Sequence, residues 1–158
     1  GMESHSVSAR QAARMRERLE TIGRACGLDG NLTITGYLPD TEVSRLFTAA
    51  DVAAFPFAEG VTLKSSALLA ALAHGVPTVA TSPESDAPVS EGPVRRVPPR
   101  DTDALVRALG DVLSDTAYGT RLRESGTRVA DAHRWCDIAA AHLRLYDEVL
   151  ASRTTSLR

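Results

Sequence analysis

The chemistry this chain can offer is concentrated in one polar loop, Glu59–Ser66, which reads E-G-V-T-L-K-S-S. Lys64 is the only lysine in a chain that otherwise uses arginine. Its ammonium is a compact point charge that can sit on a phosphate or diphosphate, or simply stand solvated. Thr62, Ser65 and Ser66 can cap a following helix through their hydroxyls, and the same groups are compatible with phosphate contact. Gly60 either lets a ligand approach the backbone closely or takes a positive φ. Thr81 and Ser82 follow a later strand and either touch the same ligand or make a turn. The N–H groups of Ser65 and Ser66 at a helix start, beside Lys64, make an anion site the leading expectation.

The elements on either side are what must hold that loop. Residues 55–81 read FPFAEGVTLKSSALLAALAHGVPTVAT. An apolar strand ends at Phe55–Pro56, the loop follows, a very apolar helix runs to Gly75, and Pro77 leads into a second apolar strand. In an open α/β sheet, the carboxyl end of a strand and the amino end of the next helix bind ligands.

The rest of the chain reads as alternating helices and strands. A helix is expected over 8–27, with Met15, Leu19, Ile22 and Cys26 at helical spacing. A strand is expected over 32–35, and a helix starts at Pro39–Asp40 with Val43, Leu46, Phe47 and Ala50 as its buried stripe. Val52–Phe55 reads as a strand in the middle of a parallel sheet. The helix over 65–74 is apolar nearly all round, so both its faces should be covered. Val76–Ala80 is the next strand, 82–93 a surface loop, and Val94–Val97 a short edge strand. Asp101 caps a helix whose Ala104, Leu105, Ala108, Leu109, Val112 and Leu113 face the core. Two further helices are expected near 116–131 and 135–151, the second with Trp135, Ile138, His142, Leu145 and Val149 as its stripe. Residues 152–158 read as a polar tail, leaving 2–151 as one domain. This alternation gives a doubly wound parallel sheet with helices on both faces.

Composition narrows the function. A net charge of −2 gives no global field for nucleic acid or an anionic membrane. The longest apolar run, Ala67–Ala73, is too short to span a bilayer, and the N-terminus lacks the apolar region of a signal peptide, so a cytoplasmic protein is expected. Gly1 before Met2 reads as a remnant of tag cleavage. Cys26 and Cys136 lack metal-ligand spacing and fall in amphipathic patterns, so buried, reduced thiols are expected. His74, His133 and His142 have no second ligand at suitable spacing, so structural roles are favoured and no metal site is assigned. No G-x-G-x-x-G, P-loop or nucleophile elbow occurs, which argues against a dinucleotide dehydrogenase, an NTPase and an α/β-hydrolase.

The chain resembles the C-terminal, donor-binding domain of GT-B glycosyltransferases of family 4. That family shows E-G-F-G-L after a strand, then a helix ending L-E-A-M-A-x-G-x-P-V-V-A. Pro56, Glu59–Gly60, Ala71–Leu72–Ala73, Gly75, Pro77 and Val79–Ala80 fall on the pattern. LTITGYLPDTEVSRLFTAADVAAFP (32–56), VRRVPPRDTDALVRALGDVLSD (94–115) and HRWCDIAAAHLRLYDEVL (133–150) are similar to three further family segments. The resemblance implies a Rossmann-like sheet, an incomplete C-terminal half of the GT-B fold. The first two strands of the family's six have no counterpart, nor does the acceptor domain. It further implies the nucleotide-diphosphate-sugar-binding portion of a retaining glycosyltransferase that needs no cofactor. Its partners would be the donor and either an N-terminal acceptor domain or a second copy of the chain covering open sheet edges.

On that resemblance Glu59 is the first choice for sugar contact and for the catalytic role; the alternative is a solvated loop carboxylate. Gly60, Val61, Thr62, Lys64, Ser65, Ser66 and Thr81 would surround the donor. One departure concerns the family's E-x7-E. The second glutamate grips the donor ribose, but the matching positions here are Ala67 counting forward and Ala70 counting back. This departure and the missing strands favour the competing expectation, a non-catalytic GT-B-like module that binds a nucleotide or a protein. A flavodoxin-like domain, the third possibility, would need acidic residues clustered at the first strand's carboxyl end, which are not seen.

Overall fold

The structure, a computed structural model, describes residues 9–82 and 92–155. The chain divides into two compact units, Gly1–Pro39 and Asp40–Arg158. The first unit holds α1 (Ala9–Ala25) and an irregular segment after it. The Arg16 guanidinium donates to the Ile34 carbonyl at 2.8 Å, tying that segment to α1.

The second unit contains α2 (Asp40–Ala49), β1 (Ala53–Phe55), α3 (Ser66–Ala73), β2 (Thr78–Thr81), β3 (Arg95–Val97), α4 (Thr102–Ser114), α5 (Thr116–Asp131) and α6 (Trp135–Thr155). The strands form one sheet in the order β1-β2-β3, all parallel, with Ala53 opposite Thr78 and Val79 opposite Arg95. Parallel strands need crossover connections, and α3 supplies the one between β1 and β2.

Successive strand residues point to opposite faces, and β2 is buried on both, so its four residues are all inside. Val79 and Val97 pack with Ala108 and Val112 of α4 and Leu122 of α5. Ala80 and Val94 pack with Leu68 and Leu72 of α3. A third cluster sets Ala53, Ala71 and Val76 against Phe47 of α2 and Ala50 just after it. Helices thus cover both faces of the sheet. Full burial of a leucine such as Leu72 contributes roughly 1.5–3 kcal/mol.

Three caps fix where the helices begin. Ser65 Oγ accepts from the Leu68 N–H, Asp101 Oδ1 from the Ala104 N–H and Asp115 Oδ1 from the Tyr118 N–H. Each satisfies an N–H that has no partner within its helix. Asp101 therefore does what its sequence position predicts.

Several expectations change. Residues 32–35 are not a strand: they carry no regular secondary structure and belong to no ladder of the described sheet. A short β-segment is stable only when a neighbour completes its ladder. In the described sheet β1 stands at one edge rather than in the middle, and Ala54 is exposed. The α2 stripe has no fully buried residue, and Leu46 is exposed. One side of α3 stays open at Ser66, Ala67 and Ala73, so that helix is covered incompletely. Leu113 of α4 is exposed although Ala108 and Val112 are buried.

The outer helices differ most. Met15, Leu19 and Ile22 of α1 are exposed. On α6, Trp135 is 84% exposed, Leu145 and Val149 are also exposed, and Ile138 is half-buried. Cys26 and Cys136 are both exposed free thiols, not buried ones. Helical periodicity gives a stripe but does not supply the surface that would cover it. α6 runs on to Thr155, into the segment expected as a tail. Most of the loop expected over 82–93, and residues 156–158 of that tail, lie outside the described residues.

Candidate functional site

The loop after β1 is shaped by the end of β2. Pro56 has no N–H with which to extend β1. The chain turns at Gly60, whose φ of 77° suits glycine, and its N–H donates to the Phe57 carbonyl at 3.1 Å. The Val61 N–H donates to the Thr81 carbonyl at 2.9 Å. The Thr81 hydroxyl lies 2.7 Å from the Phe57 carbonyl and 3.1 Å from that of Phe55, donating to this pair. Thr81 is buried, so it acts as a pin between the ends of β1 and β2.

From Thr62 the loop prepares the start of α3. The Thr62 carbonyl accepts the Ser65 N–H at 3.0 Å, and its hydroxyl accepts the Lys64 N–H at 3.3 Å. The Ser65 hydroxyl then caps α3 through Leu68. The Ser65 N–H, expected from sequence to be available to an anion, is therefore engaged inside the loop.

Beside this loop lies a cavity of about 560 Å³. Its walls come from residues 61–64, Leu68 of α3, the end of β2, Pro93, Val94 and Arg96, and His133 after α5. The floor is apolar, with Leu68, Ala80 and Val94, while Lys64, Arg96 and His133 bring three basic side chains to its edge. The His133 Nδ1 is 2.7 Å from the Val129 carbonyl. A carbonyl oxygen only accepts, so Nδ1 carries a proton, and Nε2 is an acceptor in the neutral ring or a second donor in the cation. The cavity can hold a ligand with an apolar or ring-shaped body and an anionic group.

Four of the sequence-derived candidates meet in this cavity: Val61, Thr62, Lys64 and Thr81. Glu59, Gly60, Ser65 and Ser66 are not in its lining; Glu59 is exposed, and Ser65 serves the helix cap. Ala67 is exposed and Ala70 half-buried, and the first turn of α3 carries no acid. Sequence reasoning missed Arg96 and set His133 aside as structural. The available signal for Arg96 was the alternation in V-R-R-V, which turns one arginine to the side of the sheet that α3 covers. His133 had none, because it reaches the site only through the fold. Among the described residues no group of three His, Cys, Asp or Glu side chains could hold a metal ion. No helix among them is long and apolar enough to cross a membrane.

A parallel sheet clothed by helices on both faces, with a basic cavity beside a strand's carboxyl end, defines a Rossmann-like α/β domain. A family model described as glycosyl transferases group 1 matches residues 6–115, and the chain belongs to that family. A curated relative, the 2-deoxystreptamine N-acetyl-D-glucosaminyltransferase of Streptomyces fradiae, is 38% identical over 107 residues. That match covers 66% of this chain and 24% of the relative, so the chain spans about a quarter of the relative's length. Among solved structures, sucrose-phosphate synthase from Thermosynechococcus elongatus superposes with a TM-score of 0.68 at 24% identity, covering 88% of this chain and 35% of that one. The C-terminal domain of a glycosyl transferase group 1 family protein from Francisella tularensis superposes with a TM-score of 0.64 at 17% identity, covering 76% of this chain and 62% of that one. The fold is therefore that of part of the C-terminal half of a GT-B glycosyltransferase.

Proposed function

We propose that this chain carries the nucleotide-diphosphate-sugar site of a retaining glycosyltransferase. The observation that carries this reading is the cavity of about 560 Å³ with Lys64, Arg96 and His133 at its edge, beside the amino end of α3. A diphosphate would lie against these basic groups, helped by the positive end of the helix dipole. The fixed charges of Lys64 and Arg96 would stabilise the negative charge that builds on the departing diphosphate, an electrostatic role that needs no metal. Glu59 would contact the donor sugar, with Gly60 and Val61 allowing close backbone approach and Thr62, Ser66 and Thr81 bordering the donor. The acceptor would be held by an N-terminal acceptor domain or by a second copy of the chain, and transfer would need that second wall.

The reading is tested by titrating the chain with nucleoside diphosphates and the parent nucleosides, by NMR and calorimetry. Diphosphates should bind more tightly, with shifts at Gly60–Ser66 and Arg96. Lys64→Ala should weaken binding by about 1–3 kcal/mol, the size of a charge-assisted contact. Shifts elsewhere with none at Gly60–Ser66 would refute this assignment. The alanines at positions 67 and 70 favour one competing reading, a module that binds a nucleotide or a protein without turnover. Diphosphate binding at the loop, with no transfer after an acceptor domain is supplied, would support that alternative.

A further inference from the structure

The described residues include three histidines, and each sets Nδ1 against the carbonyl oxygen four residues back. His74 meets Ala70 at 2.8 Å, His133 meets Val129 at 2.7 Å and His142 meets Ile138 at 2.8 Å. A carbonyl oxygen only accepts, so Nδ1 keeps its proton in both charge states, and the proton that comes and goes is the one on Nε2. What differs is the surroundings of Nε2. In His74 it lies 2.8 Å from the Ser44 hydroxyl. His142 is exposed on α6, its ring edge-on to Tyr146. In His133, Nε2 has no partner among the described residues, and the residue, half-buried, forms part of the wall of the loop cavity.

The charges around His133 come from several elements. Lys64 of the loop and Arg96 of β3 line the same cavity, and among the described residues no carboxylate does. Leu68 of α3 and Ala80 and Thr81 of β2 bring no ionisable group to it. On the segment of His133 itself, Asp131 and Asp137 both act on Arg134, whose Nε donates to Asp137 Oδ2 at 2.9 Å, and Arg128 stands at the end of α5. Three cations around one cavity repel one another, and an anion among them replaces that repulsion with attraction. Histidine is the side chain whose charge ordinarily changes between about pH 5 and pH 8.

We propose that His133 is a proton-coupled contact of the loop cavity: an anion of the phosphate class bound there accepts a hydrogen bond from Nε2 of the imidazolium, and its capture draws a proton from solvent onto that nitrogen. The inference rests on the donor reading of this cavity and adds its regulation by pH. Because the anion favours the charged ring, affinity is full where the ring is charged even without it. Affinity then falls as pH rises towards the point where the bound anion no longer holds the proton.

The test uses the full chain with ¹⁵N label in its backbone and histidine rings, titrated at constant ionic strength with inorganic sulfate. Sulfate stays dianionic across this range, so any pH dependence belongs to the protein. At neutral pH, sulfate should move the His133 ring signals to imidazolium values and raise the midpoint of that ring's titration. Sulfate affinity, read from the amides of Gly60–Ser66, should fall by about tenfold or more from about pH 5 to about pH 8, the weight of a hydrogen bond to a charged group. His133→Gln keeps an N–H donor but cannot take up the proton, so it should flatten this profile, whereas His142→Gln should preserve it. Sulfate that binds at Gly60–Ser66 equally well at every pH, that leaves the His133 ring neutral, or whose pH profile persists in His133→Gln would overturn this proposal while the donor reading stands. Absence of any shift at Gly60–Ser66 at every pH would overturn both.

Discussion

Gly126 lies on α5 where it crosses α3, and its packing supports a sharp prediction. A Cβ built there would stand 2.8 Å from Leu72 Cδ2 and 3.4 Å from the Pro93 carbonyl oxygen. Carbon atoms in contact prefer about 3.5–4.0 Å, so the overlap with Leu72 is roughly 1 Å. Leu72 is 1% exposed and cannot swing into open space. Gly126→Ala should therefore incur an overpacking cost of about 1–3 kcal/mol, against about 1 kcal/mol gained in helix propensity. The net change is a loss of about 0–2 kcal/mol. In a Leu72→Ala background, itself about 2–5 kcal/mol less stable, Cδ2 is gone, and the same substitution should stabilise by up to about 1 kcal/mol. Urea unfolding of all four proteins, followed by circular dichroism, measures the cycle. Equal effects of Gly126→Ala in both backgrounds would show that the contact with Leu72 does not limit the approach of α5 to α3.

Three further outcomes are expected. Ser65→Ala removes the α3 cap at Leu68 and should cost about 0.5–2 kcal/mol in urea unfolding; if Ser65→Gly is less stable than Ser65→Ala, the cap is not the reason. Cys26 and Cys136 are exposed, so both should react with a thiol reagent in the native chain at rates close to those in urea. Protection of either would contradict this surface. Finally, the apolar side chains exposed on α6 and the open edge of β1 should drive self-association, giving a light-scattering mass above 16.8 kDa. A monomer with a high melting temperature would contradict that expectation.

The parts of the fold legible in the sequence are those governed by near neighbours. Ser65 and Asp101 cap helices because a short hydroxyl or carboxylate reaches an N–H three residues on. The apolar runs ending at Phe55, Ala80 and Val97 mark the three strands to within a residue or two, because a strand buried on a face must be apolar there. Gly60 at φ 77° was legible as a turn or a close approach because only local sterics decide it. The order of these elements, with the motif after β1, also carried the family.

The site was legible only in part. Lys64 and Thr62 could be named from the loop alone, whereas Arg96 and His133 join them from segments about 30 and 70 residues further along. The same limit applies to Ser65 and Thr81, whose polar groups looked free for a ligand but are engaged with the loop. Residues 32–35 have the composition of a strand and no ladder, because pairing depends on a partner that local sequence cannot provide. The stripes of α1 and α6 are real periodicities whose burial requires a facing surface, and the tertiary structure leaves them open. Propensity, capping and turn chemistry act within a few residues and were therefore written in the sequence of this protein. Pairing, burial and the convergence of charges act between distant segments, and only the folded chain decided them.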